Sequence, residues 1–97
     1  MDISAIVALV KERLGIKTAV RDTYLTAIVN GIVMELTDEK GVVLAQDNPY
    51  HLLFCVDYAC WRYQSRDNSG AMPRDLQYRL HNLIVHSSAP LVEGETP

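Results

Sequence analysis

Apolar residues recur every three to four positions in four stretches of the chain, which is the period of an amphipathic α-helix. These stretches cover about residues 3–14, 21–37, 49–65 and 73–86. The intervals between them hold the glycines, prolines and clustered polar residues that are typical of turns. The sequence therefore predicts an all-α fold, a small bundle of about four helices.

Residues at the ends of these stretches are suited to starting and stopping helices. Asp2 can cap the first helix and Gly15 can take the left-handed conformation that ends it. Asn48 followed by Pro49 is a strong start for the third helix. The interval from Asp38 to Asn48 is predicted as a long loop with a possible short extended piece at residues 42–44.

The second helix carries a row of small residues beside its apolar stripe. Ala27 and Gly31 lie one turn apart, and together they would let another helix approach closely. Glycine inside a helix costs about 1 kcal/mol relative to alanine, so a packing role for Gly31 is the expected compensation. A neutral glycine without any such role is the alternative.

The third helix is apolar on two sides rather than one. Leu52, Leu53, Val56, Ala59, Cys60 and Tyr63 form one stripe, which is predicted to be core, and Tyr50, Phe54, Tyr58 and Trp61 line another side. His51, Asp57, Arg62 and Gln64 remain for water. A chain this short has few partners to cover such a helix, so the second side, with Arg62 and Arg66, is predicted as a subunit interface. The alternative is that these aromatic residues are the centre of the chain's own core.

Length and charge narrow the class of protein. A chain of 97 residues supports one core, so residues 1–86 are predicted as a single domain and 87–97 as a flexible tail. Nine basic and twelve acidic side chains give a net charge of −3, which disfavours a free-standing DNA binder. The start of the chain lacks the pattern of a signal peptide, and no apolar run is long enough to span a membrane.

Residues that could carry chemistry are few and poorly arranged for it. Cys55 and Cys60 would lie about 8 Å apart on one helix, which is beyond disulfide reach, so reduced thiols and an intracellular protein are expected. His51 and Cys55 share a helical face but lack the further ligands of a metal site. We find no nucleophile arrangement and no phosphate loop, and we expect neither an enzyme nor a cofactor.

Five stretches of the chain, taken in their order along the sequence, are similar to the sequence of one protein family. They are residues 6–16 (IVALVKERLGI), 21–25 (RDTYL), 58–63 (YACWRY), 70–74 (GAMPR) and 79–83 (RLHNL). Through them the chain resembles the small helical head-to-tail connector proteins, or adaptors, of long-tailed double-stranded-DNA phages and prophages. The resemblance covers nearly the whole chain, from Ile3 to His86.

The resemblance implies a structural protein of the virion, assembled in the bacterial cytoplasm. Such proteins form a ring, commonly of about twelve copies, between the portal and a stopper or tail-completion protein. Genomic DNA passes through the ring without specific binding. The resemblance places the portal contact on the fourth helix, at Arg74, Tyr78, His81 and Val85, and on the tail from Ser87. It places the channel lining on the loop that holds Asp38, Glu39, Lys40 and Asp47, whose acidic character would repel DNA.

Two other functions remain open from the sequence. A helix-turn-helix regulator could read DNA with Arg74, Gln77, Tyr78, Arg79 and Asn82 on the fourth helix, although the gap from 65 to 72 is long for that motif. A chaperone or assembly factor would share the exposed apolar surface and would leave its partner afterwards.

Overall fold

The computed structural model describes residues 1–45, 47–65 and 70–95, and their side chains as far as residue 87. Four α-helices follow one another in this part of the chain: α1 (Ile3–Leu14), α2 (Asp22–Met34), α3 (Pro49–Gln64) and α4 (Arg74–Glu95). A single π-helical turn, Glu35–Glu39, continues α2. The described residues form no strand. The predicted all-α bundle is confirmed.

The ends of the helices lie where their capping residues predict. The Asp2 carboxylate accepts the Ala5 amide hydrogen at 3.3 Å, and Gly15 ends α1 with φ 74°. The Asn48 side chain accepts the Tyr50 amide hydrogen at 2.9 Å at the start of α3. Each cap satisfies backbone groups that the helix itself leaves without a partner.

Helix α3 is the centre of the fold, because α1, α2 and α4 all pack on it. Helices α1 and α2 also pack on each other, whereas α4 contacts α3 and no other helix within the described residues. The core consists of the following buried residues: Ile6, Val7, Val10, Leu25, Val29, Ile32, Leu36, Val42, Phe54, Cys55, Val56, Tyr58, Ala59, Cys60, Tyr63 and Leu76.

Burial within the single chain corrects two residues of the predicted subunit interface. Phe54 is 1% exposed and Tyr58 is 2% exposed, so neither side chain can contact a neighbouring subunit. Both belong to the core, as the alternative interpretation of the third helix held. Tyr50 is instead 79% exposed, and Leu53, which was predicted to be core, is 53% exposed. The contact with α4 is the reason, since this helix covers the side of α3 on which Phe54 lies.

The connection between α2 and α3 is shorter than the sequence predicts. The Lys40 amide donates to the Glu35 carbonyl oxygen at 3.0 Å, which closes the π-helical turn and places Asp38 and Glu39 in that turn. The prediction that these two residues begin the loop is therefore wrong. The turn keeps Leu36 fully buried, and Val42 enters the core just beyond it. The helix propensities of these residues do not reflect such tertiary contacts, and the sequence therefore predicts a loop here.

The loop from residue 40 to residue 48 is held at both of its ends. The Val42 amide donates to the Leu36 carbonyl oxygen at 2.8 Å, and the Ala45 amide donates to His51 Nδ1 at 2.9 Å. The Val43 amide donates to Ser87 Oγ of α4 at 3.0 Å. Residues 42–44 thus lie in the loop without forming a strand.

Helix α4 continues beyond its predicted end. The sequence placed the end near residue 86, before a flexible tail, but the helix runs to Glu95. Pro90 and Gly94 are poor helix formers, and local propensity therefore placed the end too early. The flexibility of the tail stays a prediction.

Phe54→Ala tests the assignment of Phe54 to the core. We expect it to lower the free energy of unfolding by about 3–5 kcal/mol, because the truncation leaves a cavity around a fully buried ring. Urea unfolding followed by circular dichroism measures the loss. Tyr50→Ala is the matched control and should change stability by less than about 0.5 kcal/mol. Equal effects of the two substitutions would contradict the assignment of Phe54 to the core.

Candidate interaction surfaces

Asp57 joins three helices on one side of the bundle. Its carboxylate accepts from Arg13 of α1 and, at 2.8 Å, from Arg79 of α4. Arg79 also lies 3.3 Å from Asp75, and its guanidinium stacks over the Phe54 ring at 5.5 Å. The hydrogen bond from Arg13 to Asp57 raises the pKa of that guanidinium. Asp57 was predicted to face water, but its role here is structural.

A second polar cluster connects α3 to the end of α2. The Tyr58 hydroxyl donates to Glu35 Oε2 at 2.7 Å, and Arg62 Nη2 donates to the Tyr58 oxygen at 2.8 Å. Arg62 also pairs with Glu35 Oε1 at 3.3 Å. Burial, followed by the hydrogen bond to Glu35, raises the pKa of Tyr58 to about 12. Arg62 is therefore partly engaged within the chain, while the Trp61 ring beside it stacks on Tyr58 at 5.9 Å.

The thiols and His51 have structural surroundings. Burial raises the pKa of Cys55 to about 11 and also raises the pKa of Cys60. Both cysteines are free, as the sequence predicts. His51 Nδ1 accepts a backbone hydrogen bond, which occupies one of its two nitrogens. Among the described residues, no group of three or more His, Cys, Asp or Glu side chains could hold a metal ion.

One exposed face of α2 has no charge. The chain holds no Asp, Glu, Lys, Arg or His from residue 23 to residue 34. Tyr24, Ala27, Gly31 and Met34 form a row along this face, and all four are exposed. We call this row the α2 stripe. Solvent-facing helix surfaces normally carry charged residues, and their absence is typical of the centre of a protein interface.

Tyr24, Ala27 and Gly31 of the α2 stripe form one wall of an open groove. Trp61 and Arg62 of α3 form the opposite wall, and the groove has a volume of about 440 Å³. A methyl group added at Gly31 would meet nothing within 4 Å. The close helix approach expected at Ala27 and Gly31 therefore does not come from another described helix of the same chain.

The four predicted portal-contact residues lie in one exposed row on α4. Arg74, Tyr78, His81 and Val85 are separated by four, three and four positions, so they occupy one face of the helix. Tyr78 is 67% exposed and Val85 is 44% exposed. We call these four residues the α4 row. Their role at a portal stays a prediction.

The predicted channel residues do not form a single loop. Asp38 and Glu39 lie exposed in the π-helical turn, and Lys40 follows directly after it. Asp47 lies at the other end of the connection, beside the cap of α3. Arg66, the remaining predicted interface residue, lies outside the described residues.

A second groove, between α3 and α4, brings together residues that the sequence did not connect. Tyr50 and Leu53 of α3 face Asn82 and His86 of α4 across a volume of about 360 Å³. Tyr50 lines this groove, whereas Trp61 and Arg62 line the groove beside α2. The exposed residues of the predicted interface are therefore divided between two grooves.

Two residues of the proposed DNA-reading helix are engaged within the chain. Arg79 binds Asp57 and Asp75, and the Gln77 side chain donates to the Met72 carbonyl oxygen at 2.6 Å. Arg74, Tyr78 and Asn82 are the other three residues of that set. The helix-turn-helix alternative stays a prediction, and fewer side chains of α4 are available to contact DNA.

Comparison with known proteins returns no relative. No family model matches the chain, and no curated protein or solved structure matches it either. Among the described residues, no helix has the length and apolar character needed to cross a membrane.

Asp57→Asn should weaken the attachment of α1 and α4 to α3. Because the substitution removes the negative charge that faces two arginines, we expect a loss of about 1–2 kcal/mol in the free energy of unfolding. Urea unfolding measures it. Asp75→Asn, at a carboxylate that is 77% exposed, is the control and should cost less than about 0.5 kcal/mol. A similar cost for both would show that Asp57 has no special role.

Tyr58 makes stability sensitive to high pH. Its folded-state pKa of about 12 lies above its ordinary value of 10.0, so its contribution to stability is present below pH 10 and is lost as the pH rises towards 12. Cys55 adds a similar loss towards pH 11. Unfolding at a series of pH values should show a shallower alkaline decline for Tyr58→Phe than for the parent chain. Tyr50→Phe should follow the parent, and an unchanged slope for Tyr58→Phe would contradict the account.

Proposed function

We propose that this chain is a subunit of a ring-shaped head-to-tail connector of a long-tailed double-stranded-DNA phage or prophage. The resemblance described above supplies the class of protein. One observation on the fold supports it: the chain completes its own core and still exposes two different faces, the α2 stripe and the α4 row. A subunit with two different faces can bind a neighbour on each side, which ring closure requires.

In this proposal the ring lies between the portal and a stopper or tail-completion protein. Trp61, Tyr50 and the exposed part of Arg62 contribute to contacts between subunits. No catalytic residue or cofactor is needed, because the work of a connector is to hold two assemblies together around a passage for DNA.

The charge of the chain suits a passage that does not retain DNA. The net charge is −3, and Asp38, Glu39 and Asp47 lie on the connection between α2 and α3. If this connection lines the channel, its carboxylates repel the phosphate backbone and keep DNA from adhering during its transit.

Electron microscopy of the chain mixed with the portal of its own phage or prophage tests the proposal. We expect an additional annulus beneath the portal. A variant with Glu12→Lys, on the exposed surface of α1, should form the same annulus. A bare portal at saturating protein would contradict the connector function. A salt-dependent shift of duplex DNA by the isolated chain would favour the helix-turn-helix regulator instead.

A further inference from the structure

Three residues of the α2 stripe, continued by Asp38 in the π-helical turn, match the α4 row in spacing when the two helices run antiparallel. Read backwards along α2, Asp38 is followed by Met34, Gly31 and Ala27 at steps of four, three and four. Read forwards along α4, Arg74 is followed by Tyr78, His81 and Val85 at the same steps. At 1.5 Å per residue the α4 row spans about 16 Å and Met34 to Ala27 span about 10 Å, and Asp38 lies beyond Met34 in the π-helical turn. Antiparallel helices with this spacing can pack layer against layer.

This register places each large side chain opposite suitable space. Tyr78 would lie against Met34, whose thioether makes favourable contacts with aromatic rings. His81 would lie over Gly31, where nothing occupies the space within 4 Å of an added methyl group. Val85 would lie over Ala27. The small residues of α2 thus accept the larger residues of α4.

Charge favours the same direction. The α2 end of this surface carries Asp38 and Glu39, with Lys40 following, and the α4 end carries Arg74. No ion pair engages Arg74, Asp38 or Glu39 within the described part of the chain. The positive N-terminal end of one helix also meets the negative C-terminal end of the other in this arrangement.

The α2 stripe and the α4 row do not pack against each other within one chain. Both α2 and α4 pack on α3, and they make no helix–helix contact with each other in the described residues. A second copy of the chain supplies what each face lacks. The groove beside the α2 stripe, between Trp61 and Gly31, provides the place where a foreign helix would lie.

We propose that the α2 stripe of one subunit binds the α4 row of the next subunit, antiparallel, with Arg74 at Asp38 and Glu39. This contact is the subunit interface of the proposed connector. It rests on the proposed function only in that the repeated contact closes into a ring. It assigns the α4 row to a neighbouring subunit rather than to the portal. Because the two faces differ, the contact repeats head to tail.

Disulfide cross-linking between two single-cysteine additions tests the pairing. Gly31→Cys in one chain and His81→Cys in another are mixed at high concentration and oxidised. We expect the 31–81 heterodimer to exceed the two homodimers, with the buried Cys55 and Cys60 unreactive in the parent chain. Glu12→Cys mixed with His81→Cys is the control and should give no preferred product.

Each other product overturns the proposal. Prevalent 31–31 dimers would show that α2 binds α2 in a symmetric pair. Prevalent 81–81 dimers would show that α4 pairs with itself. Absence of any preferred cross-link, together with a monomeric mass in sedimentation equilibrium at the same concentration, would show that the two faces do not pair.

Charge reversal tests the register independently of folding defects. Arg74→Glu should weaken self-association by about threefold, and Asp38→Lys with Glu39→Lys should weaken it similarly, because each change leaves like charges facing each other. Combining all three substitutions in one chain should restore the affinity. Failure of the combination to restore affinity, while circular dichroism shows each variant folded, would overturn the register.

The experiments distinguish a failure of this subunit interface from a failure of the proposed function. An annulus on the portal without the 31–81 cross-link would retain the connector and reject this interface. The 31–81 cross-link in a chain that leaves its portal bare would retain the interface and reject the connector.

Discussion

The fold depends on the burial of α3 on most of its circumference. A helix whose apolar residues point in several directions is stable in water only when other elements cover each direction. Helices α1, α2 and α4 do so. In addition, Asp57 of α3 binds Arg13 and Arg79, and Tyr58 and Arg62 of α3 bind Glu35 just beyond α2. The outer faces of α2 and α4 are exposed as a consequence, since each helix turns its inner face to α3.

The elements of the fold could be predicted because their signals are local. The period of the apolar residues, the cap at Asp2, the left-handed Gly15 and the pair Asn48–Pro49 each act within a turn of the chain. The core residues of α1 and α2 followed from the same period. Physical effects of this kind are visible in the sequence without knowledge of the neighbours.

The errors concern residues whose environment depends on distant parts of the chain. Phe54 and Tyr58 look like interface residues until α4 and the π-helical turn are seen to cover them. Asp57 and Arg62 look solvated until their partners on other helices are known. The uncharged run from 23 to 34 was visible in the sequence, but its meaning required the knowledge that Tyr24 and Met34 lie on the outer side.

The attachment of α4 to a single neighbour also divides the molecule energetically. Helices α1, α2 and α3 share contacts among all three pairs, whereas α4 depends on α3, on the Arg79 ion pairs and on the bond between Ser87 and Val43. A helix held in this way can separate from the remainder while the contacts among α1, α2 and α3 persist, and the core surface that it uncovers is the one around Phe54. Partial opening of this kind has a lower free energy than global unfolding, so the amide hydrogens of α4 would exchange with solvent before those of the other three helices.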